Sequence, residues 1–199
     1  MCFNVVAICG IETVRDNNGT VLKTSDTFRN NIRTWEKDHP NFKVVVVDAR
    51  DHIHAVDPIS SLWLEVQNAF LHDKHEPCID KLLYSGHSDT DILYVFSHVR
   101  MELPNEMRVL SGDFNWADAP YGKSAEIKLM GCQAGGQRGK KFTECIAQRV
   151  SDKTRKTVYA FVSRSSQRKR ADGGYVQTPD IGGYVKFTPN KVDKADAPV

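Results

Sequence analysis

The sequence predicts an α/β fold, a three-layer α/β/α sandwich around a mainly parallel sheet of about six strands with a C-terminal β-hairpin. Three observations lead to this prediction. Short apolar runs such as the four valines at 44–47 alternate with amphipathic segments. The apolar runs carry few polar positions, as strands buried on both faces do. The 199 residues, 40% of them hydrophobic, suffice for one domain with a single core.

Five apolar segments predict the principal strands, because each is short and ends at turn or helix signals. They cover residues 2–9, 42–47, 79–84, 126–131 and 157–162. Residues 11–23 carry loop signals, and the stretch from 91 to 125 reads as two short strands followed by a loop.

Three segments predict helices, because apolar residues recur at intervals of three and four. Ser25 or Asp26 caps the first helix, His39-Pro40 stops it, and Pro58 opens the second. The buried faces are formed by Phe28, Ile32 and Trp35; by Leu62, Val66 and Phe70; and by Phe142, Cys145, Ile146 and Val150.

The C-terminal part contains the tetrapeptide GGYV twice, at 173–176 and 182–185. Two such segments separated by QTPDI predict a β-hairpin. The last residues, 191–199, are polar, so we expect one domain over 1–190 and a frayed tail.

Composition excludes several classes of partner. The 27 basic and 25 acidic residues nearly cancel, which gives no reason to expect nucleic acid. No apolar stretch approaches the roughly 20 residues that span a bilayer, so no membrane partner is expected. Residues 1–10 lack the basic region of a signal peptide, and five scattered cysteines without a CxxC pair predict free thiols. We therefore expect a cytoplasmic protein.

The histidines give no metal site. His52 and His54 alternate as two ligands could, but no third ligand accompanies them. Apart from His87, the histidines are expected in loops or at the surface: His39, His52, His54, His72, His75 and His98.

Two reactive side chains follow predicted strands directly. His87 comes after the strand at 79–84, and Cys132 comes after the strand at 126–131. Because working residues of open α/β sheets lie beyond the carboxyl ends of strands, we expect the two to meet. An imidazole beside a thiol supplies a general base, and the small residues QAGG after Cys132 predict amides near a helix N-terminus.

The segments LLYSGHSD (82–89) and IKLMGCQAGG (127–136) together resemble the signature of clan CD, the caspase-like cysteine peptidases. The likeness spans roughly residues 2–165, and the motif style is closest to the CHAT and toxin self-processing branches. Glycine stands before the histidine here, whereas many members carry it after, and caspases have Gln-Ala before the cysteine. The resemblance implies an endopeptidase that uses a Cys–His dyad and a thioester acyl-enzyme, with no metal or cofactor and a protein or peptide as substrate.

The resemblance also assigns roles around the dyad. Gly86, Ser88 and Cys132 are expected to supply oxyanion-hole amides. Ser163, Arg164 and Ser165 follow the strand at 157–162 and are expected to line the substrate cleft, where a peptide adds as a strand. Asp89 is a further substrate-binding candidate, and a solvated loop carboxylate is its plainer interpretation.

A basic cluster allows one more partner. Some toxin protease domains of this kind are activated by inositol hexakisphosphate, and basic residues suit that polyanion. A hydrated loop or a self-cleavage site explains the same residues, which are Arg138, Lys140, Lys141, Arg168, Lys169 and Arg170.

Two alternative functions follow from the same residues. Gly86-His87-Ser88 partly matches the nucleophile elbow of serine hydrolases, with Ser88 as nucleophile, but Thr90 stands where that pattern needs glycine. The chain could also be a catalytically inactive caspase-like binding or regulatory module that retains both His87 and Cys132.

Overall fold

The computed structural model describes residues 4–15, 21–69, 78–96, 109–136, 145–180 and 183–190. The strands are β1 Asn4–Cys9, β2 Glu12–Arg15, β3 Val21–Ser25, β4 Lys43–Asp48, β5 Ile79–Ser85, β6 His87–Ser88, β7 Ile92–Tyr94, β8 Val109–Ser111, β9 Tyr121–Met130, β10 Thr157–Phe161, β11 Ser165–Lys169, β12 Tyr175–Pro179 and β13 Tyr184–Phe187. The helices are α1 Thr27–Asp38, α2 Pro58–Asn68 and α3 Ile146–Thr154, with 3₁₀ turns at Ala49–His52 and Trp116–Asp118.

A six-stranded sheet organises the fold, with the strand order β13-β10-β9-β5-β1-β4. Five of its strands are parallel to one another: β4, β1, β5, β9 and β10. The sixth strand, β13, pairs with β10 antiparallel. The prediction of an α/β fold on a mostly parallel sheet of about six strands is therefore confirmed. The carboxyl ends of the five parallel strands share one edge of the sheet.

The sheet separates two hydrophobic clusters, because alternate side chains of a strand point to opposite faces. On one face, α1 packs on the central strands; this cluster contains Val5, Ala7, Cys9, Phe28, Ile32, Trp35, Leu83 and Met130. On the other face, Val6, Ile8, Leu82 and Tyr84 pack with residues of α2 and α3. The described members of the three predicted apolar faces, Cys145 included, are thus buried in these two clusters.

Two of the three helices have recognisable N-terminal signals. Asp57 precedes α2 and its carboxylate accepts a hydrogen bond from Ser60 N–H at 3.1 Å, with Pro58 in the first turn. Asp26 precedes α1 without capping it through its side chain. The positions of both helix starts are confirmed, but the side-chain cap expected from Ser25 or Asp26 is not formed at α1. Phe70 and Phe142 lie outside the described residues.

Three predictions about strands are wrong. The loop expected at 11–23 contains β2 and β3, which pair antiparallel. Strand β9 begins at Tyr121 and not at Glu126: Tyr121 pairs with Ile79 at the start of β5, and the register shifts before Glu126 pairs with Lys81. The two GGYV segments do not form a hairpin with each other. Instead β12 pairs with β11, and β13 completes the main sheet beside β10.

The cysteines depart from expectation as well. Cys9, Cys132 and Cys145 are free, but Cys78 is disulfide-bonded. The prediction that all the thiols are free is therefore wrong, and the cysteines no longer argue for a reducing compartment. Within the described residues, no helix is long and apolar enough to cross a membrane. The tail at 191–199 lies outside the described residues.

Candidate active site

His87 and Cys132 occupy equivalent positions beyond two adjacent parallel strands. Strand β5 pairs with β9, and the last pair in the ladder is Ser85 with Met130. His87 and Cys132 each stand two residues beyond that pair, at the carboxyl edge of the sheet. Both residues are half-buried, as groups that must meet both the core and a substrate are.

The two segments contact each other directly on either side of His87. Ser88 Oγ donates a hydrogen bond to the Cys132 carbonyl oxygen at 2.6 Å. A Cβ atom at Gly131 would lie 2.1 Å from Ser88 Oγ and 3.2 Å from the Gly86 carbonyl oxygen. Glycine at 131 is therefore required for the two chains to approach so closely. Gly86, Ser88 and Cys132, the predicted oxyanion residues, do come together.

A buried side chain of the core positions the backbone of His87 through a hydrogen bond. Tyr84 is fully buried, and its hydroxyl donates to the His87 carbonyl oxygen at 2.6 Å. Burial, and then the neighbouring thiols Cys9 and Cys132, raise the pKa of Tyr84 well above its ordinary value, so it remains a donor at all ordinary pH. The His87 ring makes an edge contact with Phe28 of α1 at 5.0 Å between centroids. Gly86 has no room for a side chain, because a Cβ there would lie 2.3 Å from the Tyr84 hydroxyl oxygen.

The Cys132 thiol lies against the first residue of β11. Ser165 N–H donates to Cys132 Sγ at 3.3 Å, and Ser165 Oγ lies 3.3 Å from the same sulfur. The thiol in turn is 3.6 Å from the Ser165 carbonyl oxygen, which can accept its proton. Of the three predicted cleft residues, Ser165 is thus the one in contact with the nucleophile candidate.

A chain of amides holds Ser165 in place. Gln177 Nε2 on β12 donates to Ser165 Oγ at 2.7 Å. Asn31 Nδ2 on α1 donates to Gln177 Oε1 at 3.2 Å and to Ser85 Oγ at 3.4 Å. Ser165 Oγ thus accepts a hydrogen bond from Gln177 while it lies 3.3 Å from Cys132 Sγ, a contact in which either atom can donate. Sequence reasoning missed Asn31 and Gln177, since neither lies near a motif and no local pattern brings them together.

The hairpin formed by β11 and β12 is fastened to α1 at several points. Tyr175 N–H donates to Thr34 Oγ1 at 2.9 Å, and Lys37 pairs with Asp172 at 3.3 Å. Arg170 pairs with Asp38 and, at 3.2 Å, with Asp172. These contacts fix the hairpin that carries Ser165 and Gln177.

The turn after Cys132 is hydrogen-bonded to the end of β10 and the residues that follow it. Gln133 has φ of 57°, a left-handed conformation that costs a non-glycine residue roughly 1–3 kcal/mol and is common at functional sites. Its N–H donates to the Ser163 carbonyl oxygen at 3.0 Å, and Gly135 N–H donates to the Phe161 carbonyl oxygen at 2.8 Å. The N–H of Cys132 itself donates to no other described residue.

The helix N-terminus that the sequence predicts directly after the turn at 133–136 would fall at 137–144, which lie outside the described residues. Helix α3 begins at Ile146, and its first two amides donate to the Thr90 and Ala134 carbonyl oxygens at 2.7 and 3.1 Å. The start of α3 therefore anchors the loops that follow His87 and Cys132, and these two amides are engaged within the protein.

The remaining predicted substrate-binding residues are engaged locally. Asp89 is exposed, and its Oδ1 accepts from Thr90 N–H at 2.7 Å. Ser163 Oγ donates to the Arg164 carbonyl oxygen at 2.9 Å, and that oxygen also accepts from Asp180 N–H at 2.8 Å. Arg164 is exposed, so its guanidinium can reach a bound peptide from the surface.

The basic cluster is smaller than its sequence indicates. The two carboxylates Asp38 and Asp172 pair with Arg170 and raise the pKa of its guanidinium, the bond to Asp38 being the main cause. Arg168 and Lys169 are exposed. Arg138, Lys140 and Lys141 lie outside the described residues.

One histidine is placed differently from its prediction. His52 is only 8% exposed, not a surface residue; Nδ1 lies 2.9 Å from Ser61 Oγ and Nε2 lies 2.6 Å from Glu65 Oε2. The described residues contain no group of three or more metal-ligating side chains that could hold an ion. His54 is exposed, whereas His72, His75 and His98 lie outside the described residues.

Comparison with known proteins adds no relative to this description. No protein-family model, no curated protein and no solved structure matches the chain.

Proposed function

We propose that the chain is a cysteine endopeptidase of the caspase-like class, with Cys132 as nucleophile and His87 as general base. The observation that carries the proposal is the matched position of the two residues beyond β5 and β9, two strands that pair up to Ser85 and Met130. The close contacts of Ser88 with Cys132 and of Gly131 with Gly86 support it. The resemblance of both motifs to clan CD gives the same assignment.

The finer architecture belongs to the same proposal. The caspase-like α/β/α sandwich is supported by α1 packing on one face of the sheet and by residues of α2 and α3 in the core of the other. An edge formed by the carboxyl ends of parallel strands is where such folds collect their functional groups.

The proposed reaction is amide hydrolysis in two steps. Cys132 Sγ attacks the peptide carbonyl carbon, its proton passes to His87, and the carbonyl oxygen becomes an oxyanion that accepts from the Cys132 N–H. The C–N bond then breaks, and the amine leaves with the proton from His87, which gives a thioester. His87 next accepts a proton from a water molecule, whose oxygen attacks the thioester carbonyl carbon. The C–S bond breaks, the carboxylic acid leaves, and the proton held by His87 restores the Cys132 thiol.

Ser165 has two roles in this proposal. Its N–H and hydroxyl approach Cys132 Sγ within 3.3 Å, so they stabilise negative charge on the sulfur before substrate arrives. Beyond Ser165, β11 pairs with β12 along one edge, and we expect its other edge to pair with an extended peptide through main-chain hydrogen bonds. Arg164, exposed beside it, favours an acidic side chain in that peptide.

Two other activities are less well supported. A nucleophile elbow needs a strand that enters a helix, but β5 is followed by the short strand β6, and the Ser88 hydroxyl is bonded to the Cys132 carbonyl. An inactive binding module would have the same fold as an active peptidase. The two differ in the reactivity of the Cys132 thiol, which only the active enzyme raises.

Alkylation with iodoacetamide separates an active dyad from an inactive module. We expect Cys132 to react at least tenfold faster than free cysteine in the wild-type chain, and the His87→Ala variant to lose that advantage. The buried thiols Cys9 and Cys145 serve as internal controls in the same mass spectra. A Cys132 that reacts no faster than free cysteine, with or without His87, contradicts the proposed peptidase.

A further inference from the structure

A cavity of about 250 Å³ lies on the face of the sheet that α1 occupies. Lys81 of β5, Lys128 of β9, Tyr184 of β13 and Trp35 of α1 are among the residues that line it. Lys128 precedes Cys132 by four residues, which corresponds to about 13 Å along an extended chain. The cavity is therefore separate from the candidate active site.

The charges in the cavity do not balance. Lys81 Nζ pairs with Glu126 Oε2 at 2.7 Å, and the Tyr159 hydroxyl lies 3.4 Å from the other oxygen of that carboxylate. Lys128 Nζ lies 4.2 Å from the centroid of the Tyr184 ring. Among the described residues no carboxylate pairs with Lys128. One positive charge of the cavity thus has an aromatic face as its partner and no anion.

The environment of Lys128 is unfavourable for an ammonium that has no counter-charge. The side chain is half-buried, and burial, followed by the charge of Lys81, lowers its pKa below the ordinary value. A bound anion would relieve both effects, because it supplies the missing charge within the same low-dielectric space.

The walls restrict what that anion can be. Trp35, Tyr159 and Tyr184 are aromatic and Leu83 is apolar, so the rest of a ligand must be apolar or planar. The cavity has room for one ring of a small molecule. Glu126 also lines the cavity, and its carboxylate would repel a second negative charge.

We propose that this cavity binds a small aromatic monocarboxylate, with its carboxylate on Lys128 Nζ and its ring against the aromatic wall. The site is separate from the proposed peptidase site, because neither His87 nor Cys132 is among the residues that line the cavity. It requires only that the ligand carry one negative charge and one apolar ring.

Isothermal titration calorimetry on the full chain tests the proposal with 3-phenylpropionate as the probe. The neutral analogue 3-phenylpropan-1-ol and the polyanion tripolyphosphate are titrated in parallel. We expect 3-phenylpropionate to bind, the alcohol to bind at least tenfold more weakly, and tripolyphosphate not to bind the cavity. Lys128→Met should weaken 3-phenylpropionate at least tenfold and leave the alcohol unchanged.

Two further variants complete the experiment. Lys123→Met removes an exposed lysine from the same strand and should bind like wild type. Tyr184→Leu removes the ring below Lys128 and should weaken the acid as well. Each variant is first shown by its thermal midpoint to be folded. No binding of 3-phenylpropionate at millimolar concentration, equal affinity for acid and alcohol, or equal affinity of wild type and Lys128→Met overturns the proposal. Tripolyphosphate binding that depends on Lys128 overturns it in favour of a polyanion site.

Discussion

The backbone N–H of Ser165 donates to Cys132 Sγ at 3.3 Å, although 33 residues separate the two in the chain. The sulfur is therefore positioned by the hairpin of β11 and β12 as well as by its own strand. Gln177 on β12 donates a hydrogen bond to the Ser165 hydroxyl, and Asn31 on α1 donates one to Gln177. Substitutions at Gln177 or Asn31 should therefore change the reactivity of the Cys132 thiol.

Gln177→Leu should slow alkylation of Cys132 by iodoacetamide roughly fivefold. The substitution removes the donor that orients the Ser165 hydroxyl, and one such hydrogen bond contributes about 1 kcal/mol. The rate is measured by mass spectrometry at fixed pH. Gln67→Leu is the matched control, because Gln67 bonds the Asp118 carbonyl oxygen away from the site. Equal rates in wild type and Gln177→Leu would show that the amide chain does not reach the thiol.

Gly131→Ala should destabilise the chain by roughly 1–3 kcal/mol, the usual cost of forcing an atom into filled space. The new Cβ would lie 2.1 Å from Ser88 Oγ and 2.7 Å from Ser88 Cβ, so rotation of the serine cannot relieve the clash. Adding Ser88→Gly to the variant should restore part of the lost stability. Urea midpoints of the single and double variants measure both effects, and a Gly131→Ala variant as stable as wild type would disprove the close approach of the two segments.

Tyr84→Phe should lower peptidase activity several-fold with little loss of packing. The hydroxyl donates to the His87 carbonyl oxygen at 2.6 Å, and its loss leaves that oxygen unpaired and the histidine less well positioned. The relevant measurement is kcat/KM on a peptide identified by cleavage mapping. Tyr94→Phe, on the strand that pairs with His87, is the control for removing a nearby tyrosine hydroxyl. If both variants retain full activity, the bond from Tyr84 has no part in positioning His87.

Asp48→Asn should reduce stability near neutral pH by roughly 1–3 kcal/mol. The carboxylate is 3% exposed and pairs with Arg50 at 2.6 Å and with Arg29 at 3.0 Å. Burial would raise the pKa of Asp48, but the bonds and charges of Arg50, with the charge of Arg29, outweigh burial and hold that pKa below its ordinary value of 3.8.

The sign of the pH dependence follows from that lowered pKa. A carboxyl with a lowered folded pKa contributes stability that is present above its unfolded value and is lost as pH falls through the folded value. The difference between wild type and Asp48→Asn should therefore be constant above about pH 5 and shrink below pH 4. Urea midpoints against pH measure it, with the exposed Asp51→Asn as control. A difference that grows in acid would contradict the assignment.

Sequence patterns predicted the elements whose signals are local. Phe28, Ile32 and Trp35 predicted α1 because a helix places them on one face, and all three lie in the core. Patterns failed where pairing is between distant segments. The polar start of β9 is a strand because Tyr121 pairs with Ile79, and no feature of residues 121–125 indicates that partner.

The candidate site likewise contains residues that local sequence patterns indicate and residues that they do not. The position of His87 and Cys132 at one edge could be predicted because each follows an apolar strand, and the carboxyl ends of parallel strands share one edge. Asn31 and Gln177 could not, since their contact joins residues 146 positions apart. The repeated GGYV led to a wrong hairpin prediction for a related reason, since similar segments need not pair with each other. The strand that follows the first copy pairs with β11, and the strand in the second copy pairs with β10.

The central claim is that Cys132 and His87 cleave peptide bonds, and mass-spectrometric mapping of new termini in a denatured proteome tests it most directly. Wild type, Cys132→Ala and His87→Ala are incubated in parallel, each with and without inositol hexakisphosphate. We predict new termini with wild type alone, with one type of residue recurring before the cut. Cleavage that persists in Cys132→Ala, or identical background termini from all three proteins in both conditions, would contradict the account.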